Sequence, residues 1–212
     1  FASNGEMKTD QYIDGYYVGA DGVRVAQSNN NITASSENTD YKKLYRDVLT
    51  KLYTKHELEG RDDYNYVVGE SMQYGEAQYT LLDATGDGKA ELIVHMWPGL
   101  SSIYGAKDGK ISLLLGTGID SECDILNDNS IVHSSAVHNA EIGGRYFEWY
   151  KYNNSTGKFE EYRSGLAAMN VNYEGYDEAE TKLYESLMNN VKVSIFEVAN
   201  IPVTPENIAK IK

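Results

Sequence analysis

Gln78-Tyr79-Thr80-Leu81-Leu82-Asp83-Ala84-Thr85-Gly86-Asp87-Gly88-Lys89-Ala90-Glu91-Leu92-Ile93-Val94-His95 reads as a strand, a glycine-rich loop and a second strand. Tyr, Thr, Ile and Val suit a pleated surface, and the Gly and Asp cluster between them supplies turn conformations. Outward from this unit, a period of two persists from about residue 77 to 163. It predicts strands over 78–82, 91–97, 102–106, 110–115, 130–137, 145–152 and 158–162. Lys107-Asp108-Gly109-Lys110 and Asn153-Asn154-Ser155-Thr156-Gly157 carry the clearest hairpin-turn chemistry. Short polar links leave no room for crossover helices, so the strands are expected to form an antiparallel meander.

Helical periodicity brackets this region. Tyr41, Leu44, Tyr45, Val48, Leu49, Leu52 and Tyr53 lie on one helix face, with Asn38 or Thr39 as cap, Asp40 at the positive end and Gly60 as stop. A second amphipathic helix is expected over about 175–190, a strand over 191–196, and a last helix over 205–211 behind the cap-then-proline pair Thr204-Pro205. The expected fold class is α+β: an antiparallel meander with an N-terminal and a C-terminal amphipathic helix packed on it, one sheet face covered and the other partly wet. Residues 27–36 have linker composition, which divides the chain into a segment 1–38 and a globular domain 39–212. Within the first segment, alternation on both sides of Ala20-Asp21-Gly22 predicts a small hairpin.

The chain has 212 residues, with 32 acidic against 19 basic side chains and a net charge of −13, which repels phosphate backbones and excludes nucleic acid as an expected partner. It contains no run of about 18 apolar residues, so no transmembrane segment is expected. Its 18 Tyr against four Phe place most aromatic area on side chains with a polar tip, suited to half-wet sheet faces and binding surfaces. The single Cys123 excludes an internal disulfide framework. Beginning Phe1-Ala2-Ser3-Asn4-Gly5 without a Met, the chain is expected to be a trimmed product, for which a removed export signal is one ordinary reason.

The loop after Leu82 sets Asp83, Thr85, Asp87, Lys89 and Glu91 at positions one, three, five, seven and nine. Three carboxylates, a hydroxyl and the Lys89 carbonyl suit a hard cation, so a structural Ca2+ is the expected cofactor. Val94 stands where an EF-hand needs its bidentate Glu, and strands replace the flanking helices, so this is not an EF-hand. The same residues also allow Asp83 and Asp87 to bond the loop's own amides as Asx-turns do.

Asp14-Gly15-Tyr16-Tyr17-Val18-Gly19-Ala20-Asp21-Gly22-Val23-Arg24-Val25 resembles one unit of the aromatic cell-wall-binding repeats of the choline- and glucan-binding kind, which implies ligand contacts at Tyr16 and Tyr17. Tyr16 stands where a Trp is frequent, and no second unit follows. The Asp83–Val94 segment, the Lys107–Lys110 hairpin, Gly143-Gly144-Arg145-Tyr146 and Val203-Thr204-Pro205-Glu206-Asn207-Ile208 resemble secreted or lipid-anchored Firmicutes proteins of unknown function. That resemblance implies an extracellular or cell-surface location and no established reaction.

Catalytic signatures are weak. His56 lacks the second histidine of a zinc-protease helix, because Gly60 occupies that position. His133 and His138 fall on opposite faces of any single strand, and Glu122 and Asp124 would push the Cys123 thiol up, against a nucleophilic role beside His133 or His138. Ser134 and Ser135 lack a nucleophile elbow, and His95 has no partner pattern. No catalytic residue is assigned. The expected function is a non-enzymatic, wall- or glycan-associated domain that binds through Tyr16, Tyr17, Tyr146 and Tyr150, with Phe147 and Trp149 turned into the core. The alternative is a hydrolase of cell-wall polysaccharide working through a carboxylate pair.

Overall fold

The computed structural model describes residues 41–139 and 142–212 together with the backbone of 11–13 and 16–18. The chain divides into units Phe1–Asn38 and Thr39–Lys212. In the first, β1 (Gln11–Ile13) pairs antiparallel with β2 (Tyr16–Val18), Tyr12 opposite Tyr17. The expected turn at Ala20-Asp21-Gly22, the linker 27–36, the caps Asn38, Thr39 and Asp40, and the side chains of Tyr16 and Tyr17 lie outside the described residues.

The second unit runs α1 (Tyr41–Lys55), a 3-10 turn (Asp62–Tyr64), α2 (Asn65–Tyr74), β3 (Ala77–Leu82), β4 (Glu91–Met96), β5 (Leu100–Lys107), β6 (Lys110–Gly116), β7 (Ser121–Leu126), β8 (Ile131–Ala136), β9 (Gly144–Asn153) and β10 (Lys158–Ala168). It ends with α3 (Glu178–Met188), β11 (Val191–Ser194), α4 (Ile195–Val198), β12 (Ile201–Pro202) and α5 (Pro205–Ala209). The composition is mixed helix and strand with antiparallel pairing throughout, consistent with α+β. The expected single meander is corrected: the strands divide into two five-stranded sheets, β12-β3-β4-β5-β6 and β10-β9-β8-β7-β11.

Burial explains the division. Every residue of β4 is buried, so both of its faces are covered and no wet face remains there. Leu92, Val94 and Met96 share a core with Tyr45, Leu49 and Leu52 of α1, Val68 of α2 and Ile208 of α5. On the opposite face Ile93 and Ile103 meet Cys123, Ile125 and Ile131 of the second sheet, together with Ile195 and Ala199. The outer face of the second sheet supplies Val132, Phe147 and Ala167 to a third cluster with Leu187 of α3. The unit is therefore layered helix, sheet, sheet, helix.

Local signals set several boundaries. Asp177 caps α3 by accepting from the Ala179 and Glu180 amides, and Thr204 caps α5 with Pro205 as its first residue. α1 stops five residues before Gly60, and His56 follows it with φ of 54°. The expected strand over 191–196 ends at Ser194, because Ile195 and Phe196 turn into α4. Among the described residues, no helix is long and apolar enough to cross a membrane.

Candidate functional site

Register across the second sheet assembles a polar site. Cys123 of β7 lies opposite His133 of β8, His133 opposite Glu148 of β9, and Glu148 opposite Ser164 of β10. One step along the strands, Ser135, Tyr146 and Leu166 form a parallel row on the same face. Together His133, Ser135, Tyr146, Glu148, Ser164 and Leu166 line an open depression of about 470 Å³. Tyr146 is 53% exposed there, whereas Phe147 is buried on the opposite face.

One oxygen of Glu148, Oε2, is held from two sides. His133 Nδ1 lies 2.6 Å from it, and the Tyr150 hydroxyl donates to it at 2.9 Å. His133 Nε2 is buried without a hydrogen-bond partner. An imidazole proton at Nε2 would therefore be stranded, whereas one at Nδ1 has an acceptor, which assigns the proton to Nδ1. Burial first, and then the adjoining Glu148 carboxylate, push the Tyr150 phenol up, so it acts as a donor and not as an anion. Two donors converging on one oxygen orient Glu148 while 40% of its side chain remains exposed.

Cys123 faces His133 across the strands but is only 3% exposed, and burial, with a smaller contribution from Asp124, pushes its thiol well above the ordinary range. His138 is exposed beyond the end of β8, apart from His133. His95 is buried, with Nδ1 2.9 Å from Ser101 Oγ and its ring edge-on to Phe196, and burial lowers its pKa. Glu148 was missed in the sequence; its one local signal is a carboxylate flanked at i−2 and i+2 by Tyr146 and Tyr150, which share its face.

The loop between β3 and β4 is closed by its own carboxylates. Asp83 accepts from the Gly86 amide at 2.7 Å and the Gly88 amide at 2.9 Å, and Asp87 accepts from Lys89 at 2.8 Å. Glu91 accepts from the Ala84 amide at 2.8 Å and the Thr85 amide at 3.1 Å. Burial outweighs these two hydrogen bonds and, with repulsion from Asp87 and Asp83, pushes Glu91 up to about 7. Thr85 Oγ1 is buried with no partner. A cation would relieve both the Glu91 repulsion and the orphaned hydroxyl. It would also have to regroup the carboxylates, since among the described residues no three His, Cys, Asp or Glu side chains are gathered as a metal-ligand set.

Compared with known proteins, the chain matches no family model, no curated protein and no solved structure. The two resemblances rest on their short motifs alone.

Proposed function

We propose that residues 39–212 form a non-enzymatic carbohydrate-binding domain of an exported protein held at the bacterial cell wall. The observation that carries this reading is the depression on the second sheet, where the exposed Tyr146 ring adjoins an oriented Glu148. A sugar ring presents an apolar face to an aromatic ring and hydroxyls to a fixed acceptor, and Tyr150 serves as an orienting group beneath it. The ribbon residues Tyr16 and Tyr17 are assigned a second, repeat-like contact on the same polymer. Incubation with peptidoglycan and common glycans, assayed together for retention and for release of reducing ends, tests the proposal. Retention without release is expected, and Tyr146→Ala should weaken retention by about tenfold. Release of reducing ends by the wild type would favour the polysaccharide hydrolase instead.

Calcium enters as a second proposal, a structural ion at Asp83, Thr85, Asp87, Lys89 and Glu91. Its support is the loop spacing, the orphaned Thr85 hydroxyl and the crowded Glu91 carboxyl. At the affinities of about 10⁻⁴ to 10⁻³ M usual for extracellular modules, millimolar calcium would stabilise the fold by roughly 0.4–1.4 kcal/mol. A calcium-dependent rise in melting temperature that Asp87→Ala abolishes is the expected result; an unchanged wild-type melt would leave the loop as a hydrogen-bonded turn.

A further inference from the structure

Resting on the carbohydrate-binding reading, we infer that the depression selects an amine-bearing saccharide, with the sugar's ammonium seated between Glu148 and the Tyr146 ring. Glu148 is the only acidic side chain among the described residues lining the depression, and no Lys or Arg lines it. Both donors that orient Glu148 fall on Oε2. Oε1 receives no donor among the described residues and stays open to a ligand. A carboxylate accepts from hydroxyls and from ammonium alike, but hydrogen bonds with charge on both partners are roughly twice as strong as neutral ones. Tyr146 lies two residues before Glu148 on the same face of β9, and its exposed ring attracts a cation through the quadrupole. The chain's net charge of −13 adds a long-range preference of the same sign and opposes sugars that carry carboxylate or phosphate. A neutral sugar gains the stacking and a hydrogen bond, whereas an amino sugar gains both and the charge.

Calorimetric titration of the whole chain with a glucosamine oligomer, its fully N-acetylated counterpart, a cello-oligosaccharide and an oligolysine peptide tests this. At low salt the glucosamine oligomer is expected to bind about tenfold more tightly than the N-acetylated one, with the difference shrinking in 0.5 M salt. Glu148→Gln keeps an oxygen to accept from His133 and Tyr150, and should erase the difference while leaving stacking-driven binding to the other sugars. Equal affinities for the two glucosamine oligomers, or a preference that survives Glu148→Gln, would overturn the inference while the carbohydrate-binding reading stands. Oligolysine binding as tightly as the amino sugar would also overturn it, by making the ligand a peptide ammonium. Failure of every saccharide to bind would instead bring down the carbohydrate-binding reading itself. The comparison of the two glucosamine oligomers uses the wild type alone, so it holds even if the variant folds poorly.

Discussion

At Glu91, burial and hydrogen bonding pull in opposite directions. Glu91 is 5% exposed, and the two loop amides that point at its carboxyl favour the charged form, yet desolvation prevails and moves it from 4.5 to about 7. A folded-state pKa above the unfolded value means that the native chain holds the proton more tightly. The associated stability is therefore complete below about pH 4.5 and is lost as pH rises through about 7. The full span corresponds to about 3 kcal/mol by the usual conversion. Urea unfolding at a series of pH values between 4.5 and 8 is expected to show wild-type stability falling relative to Glu91→Gln across that window. Parallel pH profiles for the two proteins would remove Glu91 as the cause. If calcium occupies the loop, saturating calcium should flatten the wild-type slope, because the ion holds the carboxylate charged without the proton.

α3 shows what one cap contributes to an element. Asp177 accepts from two first-turn amides that have no partner within the helix, and it places a negative charge at the positive end. Asp177→Ala should cost about 1 kcal/mol and lower the melting temperature by a few degrees in a domain of this size, measured by thermal unfolding. The Thr204 cap of α5 was legible in the sequence because its chemistry spans three residues, as were the apolar faces of α1 and α3, whereas Asp177 was not singled out. Elements defined by distant partners were not legible. β7 reads as a link, since Glu122 and Asp124 interrupt its apolar residues, and it becomes a strand by pairing with β8 and with β11, where Val191 lies opposite Leu126. α2 buries only Val68 and Ser71 and exposes Tyr66 and Tyr74, so it shows too little apolar periodicity to be read. The site divides the same way. Alternation along β9 put Tyr146 and Tyr150 on one face, but the meeting of His133 with Glu148 follows from the register between β8 and β9, which no residue spacing displays.

The two sheets of the larger unit are joined more tightly than a chain crossing alone would require. Gly99, in the turn between β4 and β5, has φ of 107°, and a Cβ there would lie 2.6 Å from the Ser121 carbonyl oxygen and 2.7 Å from its nitrogen. Ser121 is the first residue of β7, so the turn of one sheet packs backbone to backbone on the start of the other. Asp120 donates to the Pro98 carbonyl at 2.6 Å, and Thr117, on the connecting segment, accepts at its hydroxyl from the Ser101 amide. With Ile93 and Ile103 packed on Ile125 and Ile131, neither sheet can leave without exposing the shared core. The unit should therefore unfold in one step. Its two tryptophans test this, because Trp97 adjoins β4 of the first sheet and Trp149 lies in β9 of the second. Single Trp→Phe variants, each followed by the remaining tryptophan's fluorescence in urea, should give coincident transitions; separated midpoints would mean that the sheets unfold independently. Gly99→Ala forces strain on a backbone contact that no side-chain rotation can relieve. It should destabilise the unit by about 2–4 kcal/mol while keeping the two transitions together. A variant that split them would show the turn to be the coupling itself, and the apolar layer between the sheets insufficient without it.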